Sequence, residues 1–266
     1  MERLSTVSPS VHQNPSGRTA DMDESKRFWG PVEERGPTDG VLTGPKAMTG
    51  EALDKRSIWK PKRCNTLEHE SFCFAGYDIS IRESVDTYGA LVWPGATCLC
   101  QFLENNQQQV NLMDKTVLEI GAGTGLLSIV ASLLGARVTA TDLPEILSNL
   151  TFNLQRNTKS RSRHAPQVAA LTWGQSLARD FPQPSHRYDY VLAADLVFPH
   201  DYLKELLETM QHFCRPGSRT TLLWANKIRF ESDLEFVESF KKTFKTALLA
   251  ELPQQQVRIY EGTAKE

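Results

Sequence analysis

Long apolar runs are missing from this 266-residue sequence. The longest, Leu126 to Leu134, is about half a bilayer span, and Met1-Glu2-Arg3-Leu4 runs into Ser, Pro and Gln without the apolar core of a secretory signal. The sequence therefore predicts a soluble protein with no membrane partner. Cysteine is scarce and unpatterned: Cys64, Cys73, Cys98, Cys100 and Cys214 are odd in number, form no CxxC pair, and mix with six scattered histidines at no ligand spacing. A disulfide framework and a metal site are both excluded as expectations, and a reducing cytoplasmic or nuclear setting fits best. Neither sign of charge dominates. With 30 Lys and Arg against 32 Asp and Glu, the net charge of -2 gives no global attraction to a phosphate backbone, so no nucleic-acid partner is expected.

What is present divides into two parts. Residues 1–60 are rich in Ser, Pro, Gly and mixed charge, and their few large apolar residues (Phe28, Trp29, Leu53) follow no helical or strand period. A disordered tail is expected there, with Phe28-Trp29 as a conceivable docking motif, followed by one domain over 61–266. That domain opens with two alternating runs, Ser71-Phe72-Cys73-Phe74 and Ile79-Ser80-Ile81, around the turn Ala75-Gly76-Tyr77-Asp78, which predict a β-hairpin. Trp93-Pro94 then opens a helix marked by Ala96, Leu99, Phe102 and Leu103.

Beyond it strands and helices alternate. Strands are expected at 116–120, 137–141, 168–173, 188–193, 220–224, 246–251 and 257–261, and helices at 125–134, 145–157, 201–213 and 232–244. Short connections between alternating elements imply a mainly parallel, doubly wound sheet covered on both faces. The few residues around Pro253-Gln254-Gln255 are too short for a parallel crossover, so the last two strands must pair antiparallel.

The sharpest local pattern is Val117-Leu118-Glu119-Ile120-Gly121-Ala122-Gly123-Thr124-Gly125-Leu126, a buried strand that enters a glycine turn and then a helix. Glycines allow positive φ and close approach of a ligand to the backbone, and a helix start offers unpaired N–H groups. The dinucleotide fingerprint G-x-G-x-x-G fails here, because Leu126 occupies the third glycine position. The pattern E-x-G-x-G-x-G, with Glu119 in the strand, suits instead a nucleoside cofactor bearing a sulfonium and an ammonium. Asp142 closes the next strand about twenty residues on, where a carboxylate accepts hydrogen bonds from ribose hydroxyls; the competing role is an N-cap. Trp173, at the end of the third strand, is placed either to stack on adenine or to fill the core, and Trp93 is similarly ambiguous.

Tyr190-Val191-Leu192-Ala193-Ala194-Asp195-Leu196-Val197-Phe198 is the fourth strand with an acid just past its end, beside the switch point where reacting groups converge. A lysine amine with pKa near 10.4 is neutral in only about one molecule in 2,500 at pH 7, a deficit of roughly 4.6 kcal/mol. Asp195 is too weak a base to remove it, but it could hold and aim an amine while Phe198 and other aromatic walls exclude water. An N-cap for the following helix is the alternative role of Asp195. His200 lies near enough in sequence to be considered as a proton acceptor. Lys159-Ser160-Arg161-Ser162-Arg163-His164, the one concentrated basic stretch, reads as a solvated loop before it reads as an acidic-partner site.

At these residues the sequence resembles the protein-lysine methyltransferases of the methyltransferase-like 21 group, most of all its C and E branch. The similarity runs from about Glu70 to about Gly262 through Val92-Trp93-Pro94-Gly95, the glycine loop, Thr141-Asp142-Leu143-Pro144, Leu171-Thr172-Trp173-Gly174, Ala194-Asp195-Leu196-Val197-Phe198 and Leu223-Trp224-Ala225-Asn226-Lys227. The resemblance implies a Rossmann-like seven-stranded α/β fold with a C-terminal antiparallel hairpin and an N-terminal β-hairpin extension. It also implies methyl transfer from S-adenosylmethionine to a lysine ε-amine of a folded protein, with chaperones, AAA-type ATPases and translation factors as the substrate types; a monomer is expected, though no residue pattern carries that expectation. Carried over, Trp93, Gly121, Ala122, Gly123, Asp142, Trp173 and Ala194 contact the cofactor, and Asp195 with Phe198 forms the D-x-x-[Y/F] substrate motif. Many relatives have tyrosine where this chain has Phe198, so the phenolic hydroxyl is absent. Leu196-Val197 in place of two prolines argues against amide or exocyclic-adenine methylation. A methyltransferase fold kept as a non-catalytic binding module, and a nucleotide-linked oxidoreductase, are the rival readings.

Overall fold

A computed structural model describes residues 69–83, 91–183, 185–198 and 200–266. The tail expected over 1–60, with Phe28-Trp29, lies outside them. The elements in chain order are β1 (His69–Phe74), β2 (Tyr77–Arg82), α1 (Pro94–Asn105), β3 (Thr116–Ile120), α2 (Leu126–Leu133), β4 (Arg137–Asp142), α3 (Leu147–Thr158), β5 (Gln167–Ala170), α4 (Leu177–Asp180), β6 (Tyr190–Ala194), α5 (Leu203–Phe213), β7 (Thr221–Lys227), α6 (Glu231–Thr243), β8 (Phe244–Leu252) and β9 (Val257–Ala264).

Strands β1 and β2 form the expected hairpin, and its two-residue turn holds Ala75 at φ +53° and Gly76 at φ +76°. Positive φ at both positions is what the right-handed strand twist requires of so tight a connection. Glu104 of α1 accepts the Ala75 N–H at 2.6 Å and ties the turn to the body of the protein. The remaining seven strands form one sheet in the order β5-β4-β3-β6-β7-β9-β8. Pairs among β3 to β7 are parallel, while β9 runs antiparallel to both β7 and β8.

Burial on both faces explains the near-continuous apolar strands such as Val117, Leu118 and Ile120. On one face α1, α2 and α3 pack Leu99, Leu103, Leu127, Ile129 and Leu150 against the sheet. On the other, α5 and α6 cover Trp224, whose ring stacks on Tyr260 at 5.4 Å and meets Phe240 at 4.9 Å. Among the described residues no helix is long and apolar enough to cross a membrane.

The chain leaves β3 outward to β4 and β5, then returns to β6 on the other side of β3. That reversal opens a crevice beyond the carboxyl ends of β3 and β6. Ile120 pairs with both Thr141 and Ala193, so Gly121, Asp142 and Ala194 reach the same edge at one level. The third strand ends at Ala170, three residues short of the expected boundary, and Trp173 lies in the following loop. The basic stretch after α3 is engaged within the protein: the Arg163 and His164 side chains both reach Asp114 Oδ1 at 2.7 Å.

Candidate active site

Three glycines shape the turn after β3, with φ of +64° at Gly121, +55° at Gly123 and +86° at Gly125. A Cβ on Gly121 would fall 2.5 Å from Leu196 Cδ2, so the turn after β3 and the loop after β6 touch where only hydrogen fits. The Ala122 N–H reaches the Thr141 carbonyl at 2.9 Å, and the Gly125 N–H closes the turn on the Ala122 carbonyl at 2.8 Å. Helix α2 starts at Leu126 with no side-chain cap, leaving the N-terminal arrangement that favours a polar ligand.

Asp142 ends β4 beside this turn. Its Oδ2 accepts the Gly123 N–H at 2.7 Å and its Oδ1 accepts the Leu143 N–H at 2.7 Å. It does not cap α3, whose N-cap position is Ile146. A carboxylate offers about four acceptor directions. Two remain on this partly exposed residue, which fits the pair of ribose hydroxyls of an adenosyl ligand. Burial raises the Asp142 carboxyl above the ordinary aspartate value, with the Gly123 and Leu143 N–H groups acting in the opposite sense.

Glu119 faces the other way. It is 2% exposed, its Oε2 accepts the Ser128 hydroxyl of α2, and it supports the turn from behind instead of lining its open side. Burial pushes its pKa up to about 8, Ser128 acts against the rise and Asp142 adds to it. A carboxyl whose folded pKa exceeds its unfolded value near 4.5 holds its proton better in the fold. Its stabilising effect is complete below pH ~4.5 and is lost as pH climbs through about 8. We expect Glu119→Gln to flatten this slope. Between pH 6 and 8.5 the wild type should lose stability relative to the variant by on the order of 2–3 kcal/mol, read as diverging melting temperatures. Parallel curves would show that Glu119 is ionised throughout.

The loop after β6 is held by residues far away in sequence. Asp195 adopts φ +52°, its N–H bonds the Ala225 carbonyl at 2.8 Å, and its side chain is 0% exposed. Its Oδ2 accepts the Gly95 N–H in the first turn of α1, while its Oδ1 accepts the Lys227 N–H at 2.8 Å and Arg229 Nη1 at 2.9 Å. Asp195 therefore caps α1, not the helix that follows it. A Cβ on Gly95 would lie 2.7 Å from that carboxylate, so glycine is required by packing there. The Arg229 guanidinium sits 5.5 Å from the Trp93 ring and bonds the Lys227 carbonyl at 3.1 Å. Asp233 Oδ2 fixes its backbone by accepting the N–H groups of Arg229 and Phe230 at 2.7 and 3.0 Å.

Fully buried Asn226 clamps Val197, two residues past Asp195: Oδ1 accepts the Val197 N–H at 3.0 Å and Nδ2 donates to the Val197 carbonyl at 3.1 Å. Phe198 is half-buried, its ring 4.4 Å from His200, which lies 5.5 Å from Trp173. Trp173 is only partly buried, at the edge of the core and not within it. The Tyr202 N–H donates to His200 Nδ1 at 3.0 Å, so Nε2 carries the proton and donates to the Leu196 carbonyl at 3.1 Å. With both nitrogens engaged, this conformation offers no lone pair for proton acceptance.

The fold thus brings Gly121, Ala122, Gly123, Asp142 and Ala194 to one end of the sheet, with Asp195 buried just past β6. Trp93 joins through Gly95 and Arg229, and Trp173 with Phe198 through His200. Arg229 and the clamping role of Asn226 were missed in the sequence; an asparagine directly after the apolar run Leu222-Leu223-Trp224-Ala225 was the available signal. Among the described residues no group of three or more His, Cys, Asp or Glu could hold a metal.

A mostly parallel seven-stranded sheet finished by antiparallel β8 and β9, with a glycine turn of positive φ and an open carboxylate one strand away, is the class I methyltransferase fold. The family model for lysine methyltransferases matches residues 75–243. A mouse protein-lysine methyltransferase, METTL21E, is 50% identical over 220 residues, covering 83% of this chain and 88% of its own. The EEF1A lysine methyltransferase 3 of Xenopus tropicalis is 35% identical over 201 residues, covering 74% and 85%. In fold the chain is similar to the Thermus thermophilus 16S rRNA N2 G1207 methyltransferase in complex with AdoMet and guanosine, with TM-score 0.54, 16% identity, and 74% and 50% of the chains covered. The chain belongs to the lysine methyltransferase family and is an S-adenosylmethionine-dependent enzyme.

Proposed function

We propose that this protein-lysine methyltransferase acts, as a monomer, on a lysine ε-amine presented by a folded protein such as a translation factor, chaperone or AAA-type ATPase. A relative named as an EEF1A lysine methyltransferase supports the first of these types. The four cysteines among the described residues are free thiols, which supports work in the reducing cytoplasm or nucleus. The open carboxylate of Asp142 beside the glycine turn carries the reading. It would receive the ribose hydroxyls, while Gly121, Ala122, Gly123 and the start of α2 hold the amino-acid end of S-adenosylmethionine, and Trp173 and Ala194 flank the adenosyl group. The bound cofactor supplies an electrophilic methyl on a cationic sulfur.

The chain's own residues then do three things. Asp195 fixes the edge beside which the amine arrives, by joining α1, β6 and β7. Phe198 and Trp93 exclude water from a cationic nitrogen that must lose its proton before attack. The turn after β3 holds the donor in line with it. Purified protein incubated with tritiated S-adenosylmethionine and a cell lysate should label proteins, and acid hydrolysis should return the label as methyl-lysine. Adenosylhomocysteine should raise the melting temperature while NAD leaves it unchanged. Label recovered in nucleic acid or in methyl-arginine would overturn the assignment of the target.

A further inference from the structure

Helix α3 presents Asn149, Asn153 and Asn157 at intervals of four, on one face. That face lies along the edge of β2 that β1 does not pair. Asn153 Oδ1 accepts the Arg82 N–H at 2.9 Å and its Nδ2 donates to the Arg82 carbonyl at 3.0 Å. One turn on, Asn157 does the same for Ser80, at 2.9 and 3.0 Å. Two spacings make this possible. Four residues of helix rise about 6.0 Å, and two residues of strand about 6.7 Å. Each side-chain amide therefore meets the next outward-facing peptide of β2, and α3 serves as a neighbouring strand to the hairpin.

The two amides differ in their second hydrogen. That of Asn157 returns to its own helix, at the Asn153 carbonyl, 2.8 Å away. That of Asn153 goes to the Thr124 carbonyl, 3.0 Å away, inside the glycine turn. The Thr124 peptide sits between Gly123, whose N–H bonds Asp142, and Gly125, whose hypothetical Cβ would meet Leu150 Cδ1 of the same helix at 2.7 Å. Asn153 is 0% exposed. A single buried side chain thus joins β2 to the turn that receives the cofactor, and the Thr124 bond is buried, with no solvent to replace it.

We propose that Asn153 is a positioning residue for the cofactor: by holding the Thr124 carbonyl it sets the turn in its binding conformation and couples that conformation to seating of the β1–β2 hairpin. The inference rests on cofactor binding at the turn after β3. Asn157 supplies the matched control, because it holds the same strand without touching the turn.

Titration calorimetry with adenosylhomocysteine tests the coupling. Asn153→Ala should weaken binding about tenfold, whereas Asn157→Ala should stay within about twofold although both lower the melting temperature by similar amounts. Hydrogen exchange gives the second readout. Saturating adenosylhomocysteine should slow exchange of the Ser80 and Arg82 amides in the wild type and of the Arg82 amide in Asn157→Ala, where the Ser80 N–H has lost its acceptor, and should leave the Ser80 amide unaffected in Asn153→Ala. Should Asn153→Ala fail to fold, Asn153→Asp keeps the acceptor for the Arg82 N–H while removing both donations, to the Thr124 carbonyl and to the Arg82 carbonyl; the latter keeps Asn149 Nδ2 at 3.1 Å, and the same loss of affinity is expected. Equal affinities in the two alanine variants, or no ligand-dependent protection of β2 in the wild type, would overturn the proposal. A wild type that binds no adenosylhomocysteine would overturn the cofactor site itself.

Discussion

Asp195→Ala should lower the melting temperature by about 10 °C and reduce methyl transfer more than about a hundredfold. The stability loss follows from the contacts. Removing the carboxylate leaves the N–H groups of Gly95 and Lys227 without their acceptor, and leaves Arg229, 20% exposed, without its counter-ion. Breaking one partner of an enclosed ion pair costs about 3–5 kcal/mol, and a domain of this size loses about 2–4 °C per kcal/mol. The activity loss follows from position. Once α1 is uncapped and β6 no longer joins β7 through the carboxylate, Trp93 and Phe198 shift, and displacements of about 1 Å can cost a hundredfold.

Asp195→Asn should fall between, since the amide oxygen can still accept from Lys227 and Arg229 while its NH2 opposes the Gly95 N–H. Thermal melts and single-turnover methyl transfer on the two variants separate the roles. An alanine variant as stable as the wild type yet inactive would mean that the carboxylate acts on the substrate, and that the clasp contributes nothing.

The second large effect is expected at Asp142 and has the opposite signature. Asp142→Ala should weaken adenosylhomocysteine binding by a hundredfold or more while shifting the melting temperature by only a few degrees. Two hydrogen bonds from ribose hydroxyls to a carboxylate are worth about 1.5–3 kcal/mol each, so losing both costs at least about 3 kcal/mol. Stability changes less because Asp142 is partly open to water, which can take over the Gly123 and Leu143 N–H groups. Calorimetry with adenosylhomocysteine measures the affinity. Unchanged binding in Asp142→Ala would remove the nucleoside from that carboxylate.

The two aspartates show what kind of information a sequence carries. Both end a buried strand, both precede a helix, and both admitted the same two readings, ligand contact or N-cap. Neither caps its own following helix. Asp142 keeps free acceptor directions toward the crevice, whereas Asp195 is closed over by residues 95, 227 and 229. Nothing in the local pattern around either residue distinguishes them. Glu119 is a similar case: the acid before the glycines was legible, but the inward turn of its side chain toward Ser128 was not. The strand ends shifted for a related reason. Expected β5 ran to Trp173, yet pairing with β4 stops at Ala170 because the parallel ladder ends where Asp142 turns away.

The sequence by itself determined the elements whose causes are contiguous. These are the β3-turn-α2 unit, written in glycine positions and an apolar strand; the hairpin of β1 and β2, written in alternation around Ala75-Gly76; and the antiparallel finish, forced by a connection too short to cross the sheet. Tertiary structure alone decided which polar side chains face the crevice and which lock it together. Those outcomes depend on partners as many as 100 residues apart, such as Asn153 with Thr124 at 29 and Asp195 with Gly95 at 100. Hydrogen-bond capacity is a property of a residue type, but whether that capacity is spent inside the protein or left open is settled only when distant segments pack.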